Sequence, residues 1–187
     1  TINLKNFLNT KPKISKMGEF QELKPIDGLE ISSYSADLYK NGRDDIALFY
    51  FKEGANYAAL YTTNSITSQT IEWNKKSNKS FTKGLLVNTK NANTFTGNNG
   101  LESIDVLAKN LSRILTIRES KSDEGVSETV KIKDLLFAST GVIGEKFPTE
   151  KIVSSLQNLV DKLRDDHNKL IWIKTASAIM TTDTKPK

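Results

Sequence analysis

Leu135-Leu136-Phe137-Ala138-Ser139-Thr140-Gly141-Val142-Ile143-Gly144-Glu145 is the stretch on which the reading of the fold turns. Apolar and small residues run straight into Ser-Thr-Gly and then Val-Ile-Gly, and a helical pattern resumes at Thr149. That pattern predicts a buried strand, a tight turn and a following helix. Gly141 and Gly144 permit backbone angles that other residues resist, and they let a ligand approach the main chain. Such a turn can aim N–H groups and the Thr140 hydroxyl at one point. That point would suit the developing charge on a reacting carbonyl oxygen or a phosphate. A purely structural strand-to-helix turn has the same signature.

Working outward, Thr149 is a plausible N-cap for an amphipathic helix through Ile152, Val153, Leu156, Val160 and Leu163. His167, the only histidine, follows that apolar face among Asp165, Asp166 and Asn168 and reads as solvated. A further helical run spans about 169–180 and gives way to Thr181-Thr182-Asp183-Thr184. On the N-terminal side, 119–127 reads as a polar loop. Before it, Leu101, Ile104, Leu107, Leu111, Ile114 and Leu115 mark the core face of a helix that starts near Leu101. The segment 88–100 ahead of that helix is dense in Asn, Thr and Gly, residues that brace turns or bind substrates. Leu85-Leu86-Val87 reads as a short buried strand and Ser68 to Trp73 as a half-buried one. Ile46–Phe51 and Tyr57–Thr62 read as a hairpin across Glu53-Gly54-Ala55-Asn56. Residues 1–24 form a polar, lysine-rich arm, and Pro25-Ile26-Asp27-Gly28-Leu29 opens one α/β domain over 25–187, of mixed β-sheets layered with amphipathic helices. The polar stretches 1–24 and 119–127 are expected to be the most mobile.

Composition narrows the function classes. Hydrophobic content of 37% with 26% charged residues is that of a soluble globular chain, and no apolar run approaches the ~20 residues of a membrane helix. The opening Thr1-Ile2-Asn3-Leu4-Lys5 lacks a signal-peptide layout, and the absence of cysteine fits the cytoplasm. Without cysteine there is no disulfide, no thiolate nucleophile and no Cys-based metal site. The net charge of +5 comes from scattered lysines, with arginine only at 43, 113, 118 and 164, which argues against a nucleic-acid surface. No metal motif, phosphate-loop lysine motif or Ser–His–Asp set can be assembled. What remains is a group of hydroxyl- and amide-rich loops without an evident nucleophile. Thr1 precedes a polar arm and no strand, so it does not read as a catalytic N-terminal threonine.

Taken together, the loops resemble the ornithine acetyltransferases, or glutamate N-acetyltransferases, of arginine biosynthesis. Asp45-Ile46-Ala47-Leu48 and Tyr61-Thr62-Thr63-Asn64 resemble that family's Asp-Leu-Ala-Leu and Phe-Thr-Thr-Asn segments. The stretch Leu86 to Gly97 resembles its Asn-Ser-Gly-Asn-Ala-Asn loop, and Ser139 to Gly144 its Ser-Thr-Gly-Val-Ile-Gly turn. Ala178-Ile179-Met180-Thr181-Thr182-Asp183-Thr184 resembles its Ala-Ile-Met-Thr-Thr-Asp-Thr segment. The matches fall in order over roughly 28–187. They depart at Thr89-Lys90, where the family has Ser-Gly, and at Gly28 to Tyr34, where it has smaller residues.

The resemblance implies a self-processing N-terminal-threonine acetyltransferase fold and a precursor that cleaves itself into two chains. This would be the α chain, ending at Lys187 ahead of the glycine-rich segment that leads to cleavage. The nucleophile would be the N-terminal Thr of the β chain, with its own amine as base. Acetyl would pass from N-acetylornithine to that Thr and then to glutamate, in a ping-pong scheme within an α2β2 heterotetramer. Some members also use acetyl-CoA as a co-substrate; no bound cofactor or metal is implied. By matching position, Thr140 and Gly141 would form the oxyanion hole and Thr181 would contact substrate. Two rivals stay open: a self-processing aminopeptidase of the same superfamily, and a non-catalytic phosphate-binding α/β module built on Ser139–Gly144.

Overall fold

The computed structural model describes residues 23–77, 79–122, 129–166, 168–183 and 186. Its centre is a four-stranded sheet in the order β1 (Leu29–Tyr34), β2 (Ile46–Asn56), β3 (Phe81–Asn88), β4 (Leu135–Ser139). The first two pairings are antiparallel and β3 with β4 is parallel. The helices are α1 (Gln69–Lys76), α2 (Gly97–Ser122), α3 (Thr149–Asp161) and α4 (Lys169–Ala178).

The expected α/β class and the strand–turn–helix reading from Leu135 onward hold. One face of the sheet presents Ile46, Leu48, Tyr50, Leu86, Leu135 and Phe137, all buried. These pack in one core with Ile104, Leu107, Leu111 and Leu115 of α2 and Ile152, Leu156 and Val160 of α3. The three- and four-residue spacing of those helical positions puts them on one stripe. On the other face α4 lies against β1 and β2, while Phe49, Phe51, Leu85, Val87, Leu136 and Ala138 stay partly exposed.

Several sequence expectations are corrected. Tyr57–Thr62 is not a strand: β2 continues to Asn56, and β1 and β3 already occupy both of its sides. Ser68 to Trp73 belongs to a helix, not a strand. Ser68 caps it by accepting from the Ile71 N–H at 3.4 Å, and the Thr67 hydroxyl donates to Glu72 of the first turn at 2.6 Å. Residues 119–122 complete α2. Its last turns point charge inward, with Arg118 forking onto Glu30 at 2.6 and 2.8 Å and the Glu119 carboxylate accepting a hydrogen bond from the Tyr50 hydroxyl beside Lys83. The polar residues of β1 are buried rather than turned to solvent, with Glu30 held by Arg118 and Ser33 by Asp44, and apolar alternation is not sustained along the strand in sequence. The helix near Leu101 begins at Gly97, and α3 is preceded by Pro148 as its cap residue, with the Thr149 hydroxyl bonded to Ser103 at 2.8 Å. Residues 1–22, 123–128 and His167, where other expectations fall, lie outside the described residues.

Both outer strands are closed by something other than a strand. The Asn74 amide lies along β4, donating to the Phe137 carbonyl at 2.8 Å and accepting its N–H at 3.0 Å. On β1, Ile31 and Arg164 exchange backbone hydrogen bonds at 2.9 and 3.2 Å.

Candidate active site

Because β3 and β4 are parallel, with Asn88 beside Ser139, they release two loops at the same end of the sheet. The loops stay joined beyond the strands. Thr140 N–H donates to the Asn88 carbonyl at 3.1 Å, Val142 N–H to Lys90 at 2.7 Å, Ala92 N–H to Val142 at 2.9 Å and Gly144 N–H to Thr94 at 2.9 Å. Parallel pairing therefore persists into the turn.

Three asparagines brace this arrangement. Buried Asn88 donates to the Thr89 and Asn91 carbonyls at 3.1 and 3.2 Å and accepts the Ser139 hydroxyl at 2.7 Å. Asn91 reaches Glu145 and the Lys146 carbonyl, both at 3.3 Å. Asn93 donates to the Gly100 carbonyl at 3.2 Å and accepts from Thr96 at 2.8 Å. Their amides hold the loop together, so of the two roles open to them in the sequence the structure supports the scaffold.

Thr140 is half-buried and Gly141 exposed. The Thr140 N–H is engaged, as is that of Val142, but among the described residues neither the Thr140 hydroxyl nor the Gly141 N–H has a hydrogen-bond partner. Gly141 takes φ 137°, and a Cβ there would collide with the Lys90 carbonyl group. The turn thus requires glycine for a backbone contact as well as for any ligand approach.

Thr181 follows the end of α4, which is clamped to the same loop. The Thr89 hydroxyl reaches the Asp45 and Ala178 carbonyls at 3.1 and 3.4 Å. Arg43 donates to the Ser177 and Met180 carbonyls at 3.0 and 2.6 Å. The segments carrying Thr140, Gly141 and Thr181 therefore converge on Asn88-Thr89-Lys90. Beneath them the Asp45 carboxylate accepts the Ala36 and Leu38 N–H groups at 2.7 and 2.8 Å. Burial raises its pKa, and these backbone donors pull it back.

Sequence reasoning missed Arg43 and Thr89 as clamps and gave Lys90 no role; the one available signal was Arg43, among so few arginines, beside Asp45. Lys90 stands at φ 78°, the conformation that glycine adopts freely. The turn keeps glycine-like geometry at a position where the resembled family has Gly.

A sequence profile of the ArgJ family matches residues 30–187. The chain belongs to the ArgJ family.

Relatives named arginine biosynthesis bifunctional protein ArgJ include one from Caulobacter vibrioides, 31% identical over 172 residues, which covers 90% of this chain and 38% of that protein. Another, from Pseudomonas fluorescens, is 33% identical over 171 residues, covering 91% of this chain and 38% of the relative. The chain thus spans under two-fifths of the length of these curated relatives. In fold it is similar to the crystal structure of an ornithine acetyltransferase complexed with ornithine from Mycobacterium tuberculosis. That likeness has a TM-score of 0.75 at 21% identity, over 88% of this chain and 83% of that one. An ArgJ structure from Bacillus halodurans gives a TM-score of 0.70 at 22% identity, over 84% and 74%.

Two further surfaces stand out, one on the site and one away from it. Phe95, Val142 and Ile143, on the joined loops, are exposed apolar residues at 65%, 45% and 60%. A cleft of about 580 Å³ lies at the Phe81 end of β3, lined by Lys76, Lys83, Lys131 and Lys133 among others, at the opposite end of the strand from Asn88. Among the described residues no helix is long and apolar enough to cross a membrane.

Proposed function

We propose that the chain is the α chain of an ornithine acetyltransferase, which moves acetyl from N-acetylornithine to glutamate through an acetyl-threonine on a β chain cut from the same precursor. The observation that carries this reading is the pair of donors without partners, the Thr140 hydroxyl and the Gly141 N–H, on a turn whose neighbouring N–H groups are engaged. In the first half-reaction the β-chain Thr hydroxyl adds to the acetyl carbonyl and its proton passes to the Thr amine. The carbonyl oxygen becomes an alkoxide, and the two donors face that charge. The C–N bond then breaks, the proton goes to the leaving ornithine amine, and acetyl remains on Thr as an ester. In the second half, the neutral glutamate amine adds to the ester carbonyl and gives a proton to the Thr amine. The same donors hold the alkoxide, and the C–O bond breaks as that proton passes to the leaving Thr oxygen, restoring the hydroxyl. Thr181 positions the amino-acid substrate.

The exposed Phe95, Val142 and Ile143 support a site completed by a further chain; the α2β2 assembly and the cytoplasmic location belong to this reading through the family resemblance alone. The name bifunctional borne by the relatives supports a second activity, acetylation of glutamate by acetyl-CoA. The test is expression of the full-length gene with an intact-mass spectrum and an acetyl-transfer assay. Two chains, the second beginning with Thr, together with transfer from N-acetylornithine to glutamate are the expected result. Hydrolysis without transfer would replace this reading by the aminopeptidase, and a single unprocessed species without activity by the phosphate-binding module.

A further inference from the structure

Lys90 holds an unusual position. Among the described residues, the non-glycine residues with positive φ are Asp37, Lys90, Asn93 and Phe95, and Lys90 has the largest value, 78°. Asn and Asp tolerate this region through local hydrogen bonds; a long aliphatic-stemmed cation has no such compensation. Strained residues persist where their surroundings over-determine them, and they concentrate at functional sites. Here the surroundings are the two site segments: Lys90 accepts the Val142 N–H at 2.7 Å and lies against Gly141, while its neighbour Thr89 bonds to Ala178.

The side chain is placed as informatively as the backbone. Its ammonium stands 5.7 Å from the centre of the Tyr39 ring, and the Arg43 guanidinium stands 4.6 Å from the same ring. Arg43 is engaged by carbonyls at the end of α4, including Met180, directly before Thr181. The nearby Asp44 carboxylate is taken by Ser33 and Lys174. Among the described residues Lys90 makes no ion pair. Two cations therefore share one aromatic ring, and among the described residues neither makes an ion pair; Arg43 is held by backbone carbonyls, whereas the Lys90 ammonium has only the ring.

We propose that the Lys90 ammonium holds the α-carboxylate of the amino-acid substrate and sets substrate affinity at this site, an inference that rests on the acetyl-transfer reading. The choice of the α-carboxylate follows from charge. Donor and acceptor differ at the side chain, ornithine being cationic and glutamate anionic, so a fixed ammonium at a side-chain subsite would repel one of them. The α-carboxylate is common to both, and an ammonium there serves both half-reactions.

The test compares the processed full-length enzyme with its Lys90→Gly and Lys90→Arg variants. Glycine relieves the backbone at this φ, so the first variant folds. In Lys90→Gly the KM for N-acetylornithine and the KM for glutamate each rise about tenfold or more, as expected for loss of a charge-assisted contact, while kcat changes less than about threefold. Lys90→Arg restores most of the affinity. Discrimination between glutamate and its α-amide, which keeps the side-chain carboxylate, disappears in Lys90→Gly. Calorimetric binding of glutamate and of its α-amide supplies a readout independent of turnover. Lys90-dependent preference for glutamate without acetyl transfer would sustain this inference and overturn the functional reading. Transfer with KM values unchanged in Lys90→Gly would overturn this inference alone, leaving Lys90 a countercharge for the end of α4. Absence of both binding and transfer would overturn both.

Discussion

Gly141 lies directly on the Lys90 carbonyl group, so the turn that carries the candidate oxyanion donors and the loop beside it touch backbone to backbone. Gly141→Ala must therefore displace main chain and also sit at φ 137°. A destabilisation of about 1–3 kcal/mol is expected, read as a lower denaturant midpoint at unchanged slope. A variant as stable as the parent would mean that the two loops separate without cost.

Thr140→Ala separates chemistry from scaffold. Its hydroxyl has no partner among the described residues, so the melting temperature should stay nearly constant. Loss of one oxyanion donor costs roughly 3–4 kcal/mol of transition-state stabilisation, so kcat should fall about 10²–10³-fold. Steady-state acetyl transfer by the processed variant is the measurement; activity within a few-fold of wild type would place the oxyanion donors elsewhere.

For Thr181→Val, the half-buried hydroxyl is replaced by a side chain of the same shape. Since the end of α4 is held by Arg43 and Thr89 rather than by Thr181, folding should be nearly intact. KM for N-acetylornithine and glutamate should rise several-fold. Unchanged kinetics toward both would remove Thr181 from the site.

Asn88→Ala tests the bracing. It strips partners from the Thr89 and Asn91 carbonyls and from the Ser139 hydroxyl in a buried setting. Leaving such groups unpaired costs about 1–3 kcal/mol each at most. Both stability and activity should fall together, in contrast with Thr140→Ala.

Lys90→Gly is expected to raise the unfolding free energy by about 1 kcal/mol through relief of the left-handed backbone. A denaturant titration checks this separately from the kinetics. A loss of stability would mean that the contact with Tyr39 outweighs the strain.

What could be read from the sequence was local. The run from Leu135 to Gly144 declares strand and turn through residue types within a few positions of each other, and α2 and α3 through long apolar stripes. Six residues from Ser68 to Trp73 satisfy period 2 as well as 3.6, and only the Ser68 cap and the Glu72 side chain, seen in three dimensions, select the helix. Glu30, Lys83 and Glu119 look like surface residues until their partners arrive from distant segments. Of the candidate site, Thr140, Gly141 and Thr181 were named from the family pattern. That Thr89 and Arg43 bring their segments together was invisible, because each clamp spans from 44 to 137 positions of sequence. The sign of φ at Lys90 was equally hidden, since lysine gives no hint of it.

The closures at Asn74 and Arg164 have a consequence for how molecules meet. An open strand invites another copy to add to it, and repetition of that step makes a fibre. In this sheet the amide of Asn74 occupies the outer side of β4, and the Arg164 backbone interrupts the outer side of β1. Sideways growth is blocked at both edges among the described residues, and what the sheet leaves open is the half-covered face that carries Phe49, Leu85, Val87 and Leu136. A sheet closed this way does not template its own polymerisation.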